Sequence, residues 1–153
     1  MTDEFYHKNI FGNVVDLNLT GEERSDLNTD SKGLALGSRP EFNIFTFTDA
    51  VGSRQKRRAW ILYRKALSVG ISAEEIFYKL VWQIKSMLIA SKTKNVGETD
   101  MKTFPYNKAK SFLKNFKTSE LETLSESLVV GYSLIRRGEG EMETFIEKTL
   151  LGL

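Results

Sequence analysis

Residues 73–91 constrain the fold of this chain more than any other stretch. Their apolar side chains recur every four positions, at Ile76, Leu80, Ile84 and Leu88. This spacing places them on one face of an α-helix. Ser72 and Glu75 form a capping box at the start of the pattern, because their side chains can accept hydrogen bonds from free backbone N–H groups. The stripe therefore predicts a helix at the centre of a helical core.

Further segments from residue 42 onward show the same helical character. They cover residues 42–51, 54–69, 105–116, 119–135 and 142–153. Glycine ends helices readily, and the segments are separated by Gly52, Gly70, Gly138 and Gly140. No segment alternates between apolar and polar residues for long, so a sheet is not expected. We predict an all-α fold, a single orthogonal bundle of about five helices.

Three of these segments carry their own start signals. Ser53 is predicted to cap the second helix, which would then begin at Arg54. Pro105 suits the first position of the fourth helix, where its missing N–H group costs nothing. Ser119 and Glu122 have the spacing of a second capping box.

Residues 1–41 differ in kind from the rest of the chain. They are rich in glycine and small polar residues and show no sustained hydrophobic period, which is typical of a linker or a poorly ordered tail. One small apolar cluster could dock as a helical turn and consists of Phe5, Tyr6, Ile10 and Phe11. We predict an irregular N-terminal segment over residues 1–41 and a helical domain over residues 42–153.

Composition excludes several classes of protein. The 22 basic and 20 acidic residues give a formal net charge of +2, so binding to nucleic acid would need a local basic patch. The chain contains no cysteine, which excludes disulfides and thiolate metal sites and fits a reducing compartment. The N-terminal residues lack the pattern of a signal peptide, and no apolar run reaches the length of a membrane span. We expect a cytoplasmic protein without membrane contact.

Motifs for catalysis or metal binding are weak. The first half of a calcium loop is matched by Asp16, Asn18, Thr20 and Gly21. The twelfth loop position is Leu27 instead of the glutamate that calcium requires. The glycine-rich residues 33–39 lack the lysine of a phosphate loop, and His7 is the only histidine. The alternating glutamates of residues 139–143 suit the first turn of a helix. We expect no enzyme activity, no cofactor, no metal and no small-molecule substrate.

A short basic run raises the question of DNA binding. It consists of Arg54, Lys56, Arg57 and Arg58. On one helix, the apolar residues that follow face the core, so these charges fit the solvated side of a packed helix. The alternative is that the run contacts backbone phosphates without reading bases. The pattern favours the solvated face and leaves the phosphate contact open.

Seven short matches follow one another in a recognisable order. They are Asn43-Ile44-Phe45, Asp49-Ala50, Lys56-Arg57-Arg58-Ala59-Trp60, Gly70-Ile71-Ser72-Ala73-Glu74-Glu75-Ile76, Trp82-Gln83-Ile84-Lys85, Tyr106-Asn107-Lys108-Ala109 and Arg136-Arg137-Gly138 with the segment that follows. Over residues 41–153 this arrangement resembles the C-terminal helical domain of the bacterial DNA polymerase III delta subunit. Residues 1–40 do not resemble the N-terminal domains of that family, so its clamp-opening activity is not carried over.

The resemblance implies a non-catalytic subunit of a clamp loader in DNA replication. Its helical domain would form part of a collar with the gamma/tau ATPase subunits and the delta-prime subunit, and contact with the DNA backbone would be indirect. Such a domain should expose aromatic residues ringed by charges. The candidate interface residues are Trp60, Trp82, Lys85, Arg136 and Arg137. Both tryptophans could instead complete the core. A small DNA-binding protein that uses the basic helix over residues 54–65, or a generic helical interaction domain, are the alternatives.

Overall fold

The computed structural model describes residues 41–153 and the backbone of two short strands nearer the N-terminus. It divides into two compact units, Met1–Arg39 and Pro40–Leu153. In the first unit, β1 (Tyr6–Lys8) pairs with β2 (Val14–Asp16) in an antiparallel ladder. The ladder places Tyr6 opposite Asp16 and Lys8 opposite Val14.

This ladder corrects the expectation of a helical turn around Tyr6. The β-branched pair Val14 and Val15 favours an extended backbone. The alternation of apolar and polar residues is too brief there to predict a strand from the sequence. The remainder of the predicted irregular segment lies outside the described residues. Apart from Asp16, the candidate calcium loop lies outside them as well, and so do the glycine-rich residues 33–39.

The second unit is an all-α bundle, as the sequence predicted. Its described residues form six α-helices: α1 (Ile44–Gly52), α2 (Lys56–Ser68), α3 (Ala73–Lys92), α4 (Thr103–Phe112), α5 (Thr118–Arg136) and α6 (Met142–Leu151). Short 3-10 turns follow α3 at Val96–Glu98 and α4 at Leu113–Asn115. No helix in the part of the chain that the structure describes is long and apolar enough to cross a membrane.

The α3 helix lies at the centre of the bundle and contacts each of the other five helices. Its start is confirmed, because the hydroxyl of Ser72 accepts a hydrogen bond from the backbone N–H of Glu75 at 3.2 Å. Its buried side chains are Ile76, Phe77, Leu80, Gln83, Ile84, Ser86, Met87 and Ala90. Most of the apolar stripe that predicted this helix is therefore core.

The predicted start of α2 is wrong. Ser53 ends α1 instead of capping α2, and α2 begins at Lys56. Arg54 lies between them with a φ of 54°. That left-handed conformation is uncommon for a residue other than glycine and cannot continue a right-handed helix.

Two other predicted starts are displaced by one or two residues. The α4 helix begins at Thr103, so Pro105 is its third residue and not its first. The α5 helix begins at Thr118. There the carboxylate of Glu120, and not that of Glu122, accepts a hydrogen bond from the backbone N–H of Lys117 at 2.8 Å. Glu122 instead pairs with Lys92 at 2.8 Å.

Helix α5 approaches α6 closely at Gly131. A Cβ atom added at Gly131 would lie 2.1 Å from Cζ of Phe145. The ring of Phe145 is held in an aromatic cluster, since its centroid lies 6.2 Å from that of Phe77, which stacks on Tyr132 at 5.3 Å. The absence of a side chain at Gly131 therefore sets the distance between the two helices.

We expect Gly131→Ala to destabilise the protein by about 1–3 kcal/mol, because the new methyl group overpacks the contact with Phe145. Within an ordinary helix, a glycine-to-alanine substitution has the opposite effect and stabilises the protein. Urea denaturation measures the change in the free energy of unfolding. Gly140→Ala is the control, since the nearest atom to its added Cβ would be 4.0 Å away. A Gly131→Ala variant as stable as the wild type would show that Phe145 moves aside without cost.

Candidate protein-interaction site

Three exposed aromatic side chains surround one cavity on the bundle. They are Phe45 on α1, Trp82 on α3 and Phe104 on α4, with exposed fractions of 50%, 42% and 75%. All three line a cavity of about 370 Å³. We call these three residues the aromatic patch.

The local structure explains why these side chains converge. The side chain of Asn43 caps α1 by accepting a hydrogen bond from the backbone N–H of Phe45 at 3.0 Å, which fixes Phe45 in the first turn. Helices α1 and α4 both pack on α3, so the start of each lies beside Trp82. The rings of Phe45 and Trp82 meet edge to face, with centroids 6.4 Å apart and an interplanar angle of 72°.

Two polar side chains lie on the floor of this mainly apolar cavity. Gln83 and Ser86 line it, and they are only 4% and 5% exposed. Neither side chain has a hydrogen-bond partner among the described residues. Every fully buried side-chain nitrogen or oxygen atom among these residues does have one. Within residues 41–153, Gln83 and Ser86 therefore line the cavity with polar side chains that lack a protein partner. A mainly apolar cavity with a few convergent polar groups is typical of a binding site.

Lysine side chains border the aromatic patch. The ammonium group of Lys79 lies 5.5 Å from the ring centroid of Phe45, and that of Lys108 lies 5.7 Å from the ring centroid of Phe104. Lys108 is neutralised by Asp49, whose carboxylate oxygen is 2.7 Å away. Lys79 forms no ion pair within residues 41–153. Among the described residues, the positive charge of Lys79 is therefore unpaired beside the Phe45 end of the cavity.

A second cavity of about 490 Å³ adjoins the first. The two share Trp82, Ser86 and Pro105 as lining residues. The second cavity is more polar because its lining includes Lys85, Glu98, Asp100 and Lys102. Together the two cavities form a groove along α3.

The predicted interface residues separate into groups. Trp82 and Lys85 lie at the groove. Trp60 lies between α2 and α6, where its Nε1 atom donates a hydrogen bond to Glu147 at 2.7 Å. Arg136 is the last residue of α5 and Arg137 follows it, and neither lines either cavity.

Much of the basic run is used within the fold. The guanidinium group of Arg54 donates to both carboxylate oxygens of Glu120, at 3.2 and 3.1 Å, and to the backbone carbonyl of Asn115 at 3.0 Å. Lys56 donates to the carbonyl of Leu151 at 3.3 Å, and Arg58 donates to Gln55 at 3.3 Å. Arg57 has no side-chain hydrogen bond or ion pair with any described residue.

The shifted pKa values belong to contacts that stabilise the fold. Hydrogen bonding from the backbone N–H of Lys117, and then from Arg54, lowers the pKa of Glu120. The hydrogen bond to Tyr132 raises the pKa of Tyr78 to about 12, and burial raises that of Tyr63 to about 12. Within the described residues, no group of His, Cys, Asp and Glu could hold a metal ion.

Sequence reasoning missed Phe45, Phe104, Gln83 and Ser86 as site residues. The sequence did contain a signal for Gln83. This residue stands three positions after Leu80 and therefore on the core face of α3. A polar residue at a core position indicates either a buried hydrogen bond or a functional site. No comparable signal marks Phe45 or Phe104, whose exposure depends on how α1 and α4 pack.

Comparisons with protein-family models, with curated proteins and with solved structures found no match to this chain. The functional proposal therefore depends on the geometry of the aromatic patch and on the resemblance of short segments.

We expect Arg54→Ala to lower the urea midpoint of unfolding at pH 7, because it removes the paired hydrogen bonds to Glu120 and the contact with Phe116. The guanidinium carbon lies 5.0 Å from the Phe116 ring centroid. Both partners of the ion pair are partly exposed, so solvent reduces its contribution. Arg57→Ala is the matched control and should leave the midpoint unchanged.

The same pair should depend on pH. The pKa of Glu120 is lowered from 4.5 in the folded protein, so its contribution is present above pH 4.5 and is lost as the pH falls below that value. The difference between wild type and Arg54→Ala should therefore shrink between pH 7 and pH 3. Equal differences at both pH values would contradict a stabilising role for the carboxylate.

Proposed function

We propose that this chain is a non-catalytic helical module that assembles with other protein subunits through the aromatic patch. The observation that carries the proposal is the convergence of Phe45, Trp82 and Phe104, all exposed, around one mainly apolar cavity. Aromatic residues are enriched at the centres of protein interfaces, and tryptophan is prominent among the residues that contribute most to binding. A partner that covers the patch would remove its apolar surface from water.

The resemblance to the delta subunit supports clamp-loader subunits as the partners. Trp82 and Lys85 belong to one of the matched segments and also lie at the groove. We propose the gamma/tau and delta-prime subunits as binding partners and DNA replication as the process. The cytoplasm is the compartment in which such an assembly would form.

The DNA-binding alternative has less support from the geometry. Arg54, Lys56 and Arg58 each donate a hydrogen bond to another part of the chain. A phosphate would have to compete with these contacts. Within residues 54–58, Arg57 is left as the side chain best placed to contact a phosphate, and one cation from this run gives only weak, salt-sensitive binding.

The purified full chain should form a complex with the gamma/tau and delta-prime subunits that sediments as a single species. Trp82→Ala should weaken the complex about 30-fold, which corresponds to the loss of about 2 kcal/mol that is typical of a central aromatic contact. Analytical ultracentrifugation measures the affinity. Ile61→Ala is the control, since Ile61 is another large exposed apolar residue that does not line the groove.

Two outcomes would count against different parts of the proposal. If no complex forms at any concentration, the clamp-loader partners are wrong. If a complex forms and Trp82→Ala binds as tightly as the wild type, the aromatic patch is not the interface.

A further inference from the structure

We infer that the cavity in the aromatic patch binds a linear peptide segment of a partner protein, with an apolar anchor side chain inside the cavity, a main-chain peptide group hydrogen-bonded to Gln83, and an acidic residue beside Lys79. This inference rests on the proposed function, because it specifies which part of a partner protein the patch would bind.

The floor of the cavity selects for a peptide group. The carboxamide of Gln83 offers one acceptor and a donor side by side, which matches the C=O and N–H of a peptide bond. Gln83 lines the cavity and is only 4% exposed, and its carboxamide has no hydrogen-bond partner among the described residues. The hydroxyl of Ser86 stands one turn further along the same helix and adds a second donor and acceptor. A ligand group that formed hydrogen bonds with both Gln83 and Ser86 would replace the hydrogen bonds that it loses on leaving water.

The walls select for an apolar anchor. A cavity of about 370 Å³ lies at the small end of the range of about 300–1,000 Å³ for ligand sites. It is large enough for one bulky side chain with its adjoining main chain. The aromatic patch surrounds the opening, so the neighbours of the anchor would contact Phe45 and Phe104 while the anchor itself is enclosed.

The arrangement of rings argues against a nucleobase as the occupant. Binding of a base depends on stacking against the open face of an aromatic ring. The ammonium groups of Lys79 and Lys108 already lie over the rings of Phe45 and Phe104. Phe45 and Trp82 meet at 72°, so they do not form two parallel walls that could hold a planar base between them.

The charges around the groove give the peptide a preferred orientation. Lys79 has no acidic partner within residues 41–153 and borders the Phe45 end, whereas Asp49 neutralises Lys108. Glu98 and Asp100 line the second cavity beyond Trp82 together with Lys85 and Lys102, so the second cavity has no excess positive charge to attract an acidic residue. An acidic residue of the segment therefore belongs at the Lys79 end.

The test begins with a random heptapeptide library displayed on phage, selected on the immobilised full chain and counter-selected on Gln83→Leu. Leucine keeps the core position of residue 83 apolar and should not unfold α3. The enriched peptides should share one bulky apolar residue with an aspartate or glutamate nearby. Failure to enrich any peptide, or an enriched set without an apolar residue, would overturn the inference.

The consensus peptide is then titrated into the labelled full chain and followed by NMR. The side-chain amide signals of Gln83 and the indole signal of Trp82 should both shift. Gln83→Leu should weaken binding about tenfold, as expected for one lost hydrogen bond, and Lys79→Glu should weaken it by a similar factor. Arg57→Glu makes the same charge change away from the groove and should leave the affinity unchanged.

Two further results would contradict the inference. One is equal affinity for the consensus peptide and for a version with lysine in place of its acidic residue. The other is an oligodeoxynucleotide of thymidine or adenosine that shifts the Gln83 amide signals more strongly than the peptide does.

The outcomes also separate this inference from the proposed function. Peptide binding without a complex with the clamp-loader subunits would leave the cavity assignment intact and exclude those partners. A clamp-loader complex that Trp82→Ala weakens but Gln83→Leu does not would support the aromatic patch as an interface and overturn the role of its cavity.

Discussion

Burial of α3 against five other helices holds the bundle together. Its apolar residues occupy a face broad enough to contact α1 and α4 on one side and α5 and α6 on another. Because each of these helices packs against α3, the position of each depends on the same stripe. The aromatic patch is a consequence of this arrangement, since Phe45 and Phe104 come together only where α1 and α4 lie on α3.

The turn between α1 and α2 shows how polar contacts refine this packing. Arg54 adopts a left-handed backbone conformation that ends the first helix, and its guanidinium group then reaches Glu120 at the start of α5. Strained backbone conformations persist where other contacts determine them. Here the same residue ends one helix, contributes to the cap of another and stacks on Phe116. A run of positive charge that resembles a DNA contact in the sequence is thus largely occupied by contacts within the protein.

The sequence predicted the helices well and the site poorly, for physical reasons. The period of the α3 stripe and the cap at Ser72 are local signals, so both could be predicted from the sequence. The start of α2 was not, because Arg54 adopts a left-handed conformation that is uncommon for its residue type, with its N–H bonded to the carbonyl of Val51. Trp82 was an interface candidate because the domain that the chain resembles should expose aromatic residues. Exposure of Phe45 and Phe104 follows from the packing of whole helices, which no short pattern encodes.

The composition of the cavity explains why core packing alone is a poor account of the groove. A leucine at position 83 would fit the apolar face of α3 without leaving polar atoms to be satisfied, yet a glutamine stands there with its side chain unpaired among the described residues. Trp60 is partly buried and donates its Nε1 hydrogen bond to Glu147 on α6, whereas the Trp82 ring is 42% exposed at the opening of the cavity. Polar atoms on the floor and aromatic rings at the opening are both costly for an isolated bundle and both favourable once a partner segment is present. One occupant that satisfies the two together is therefore a simpler explanation than two unrelated local exceptions.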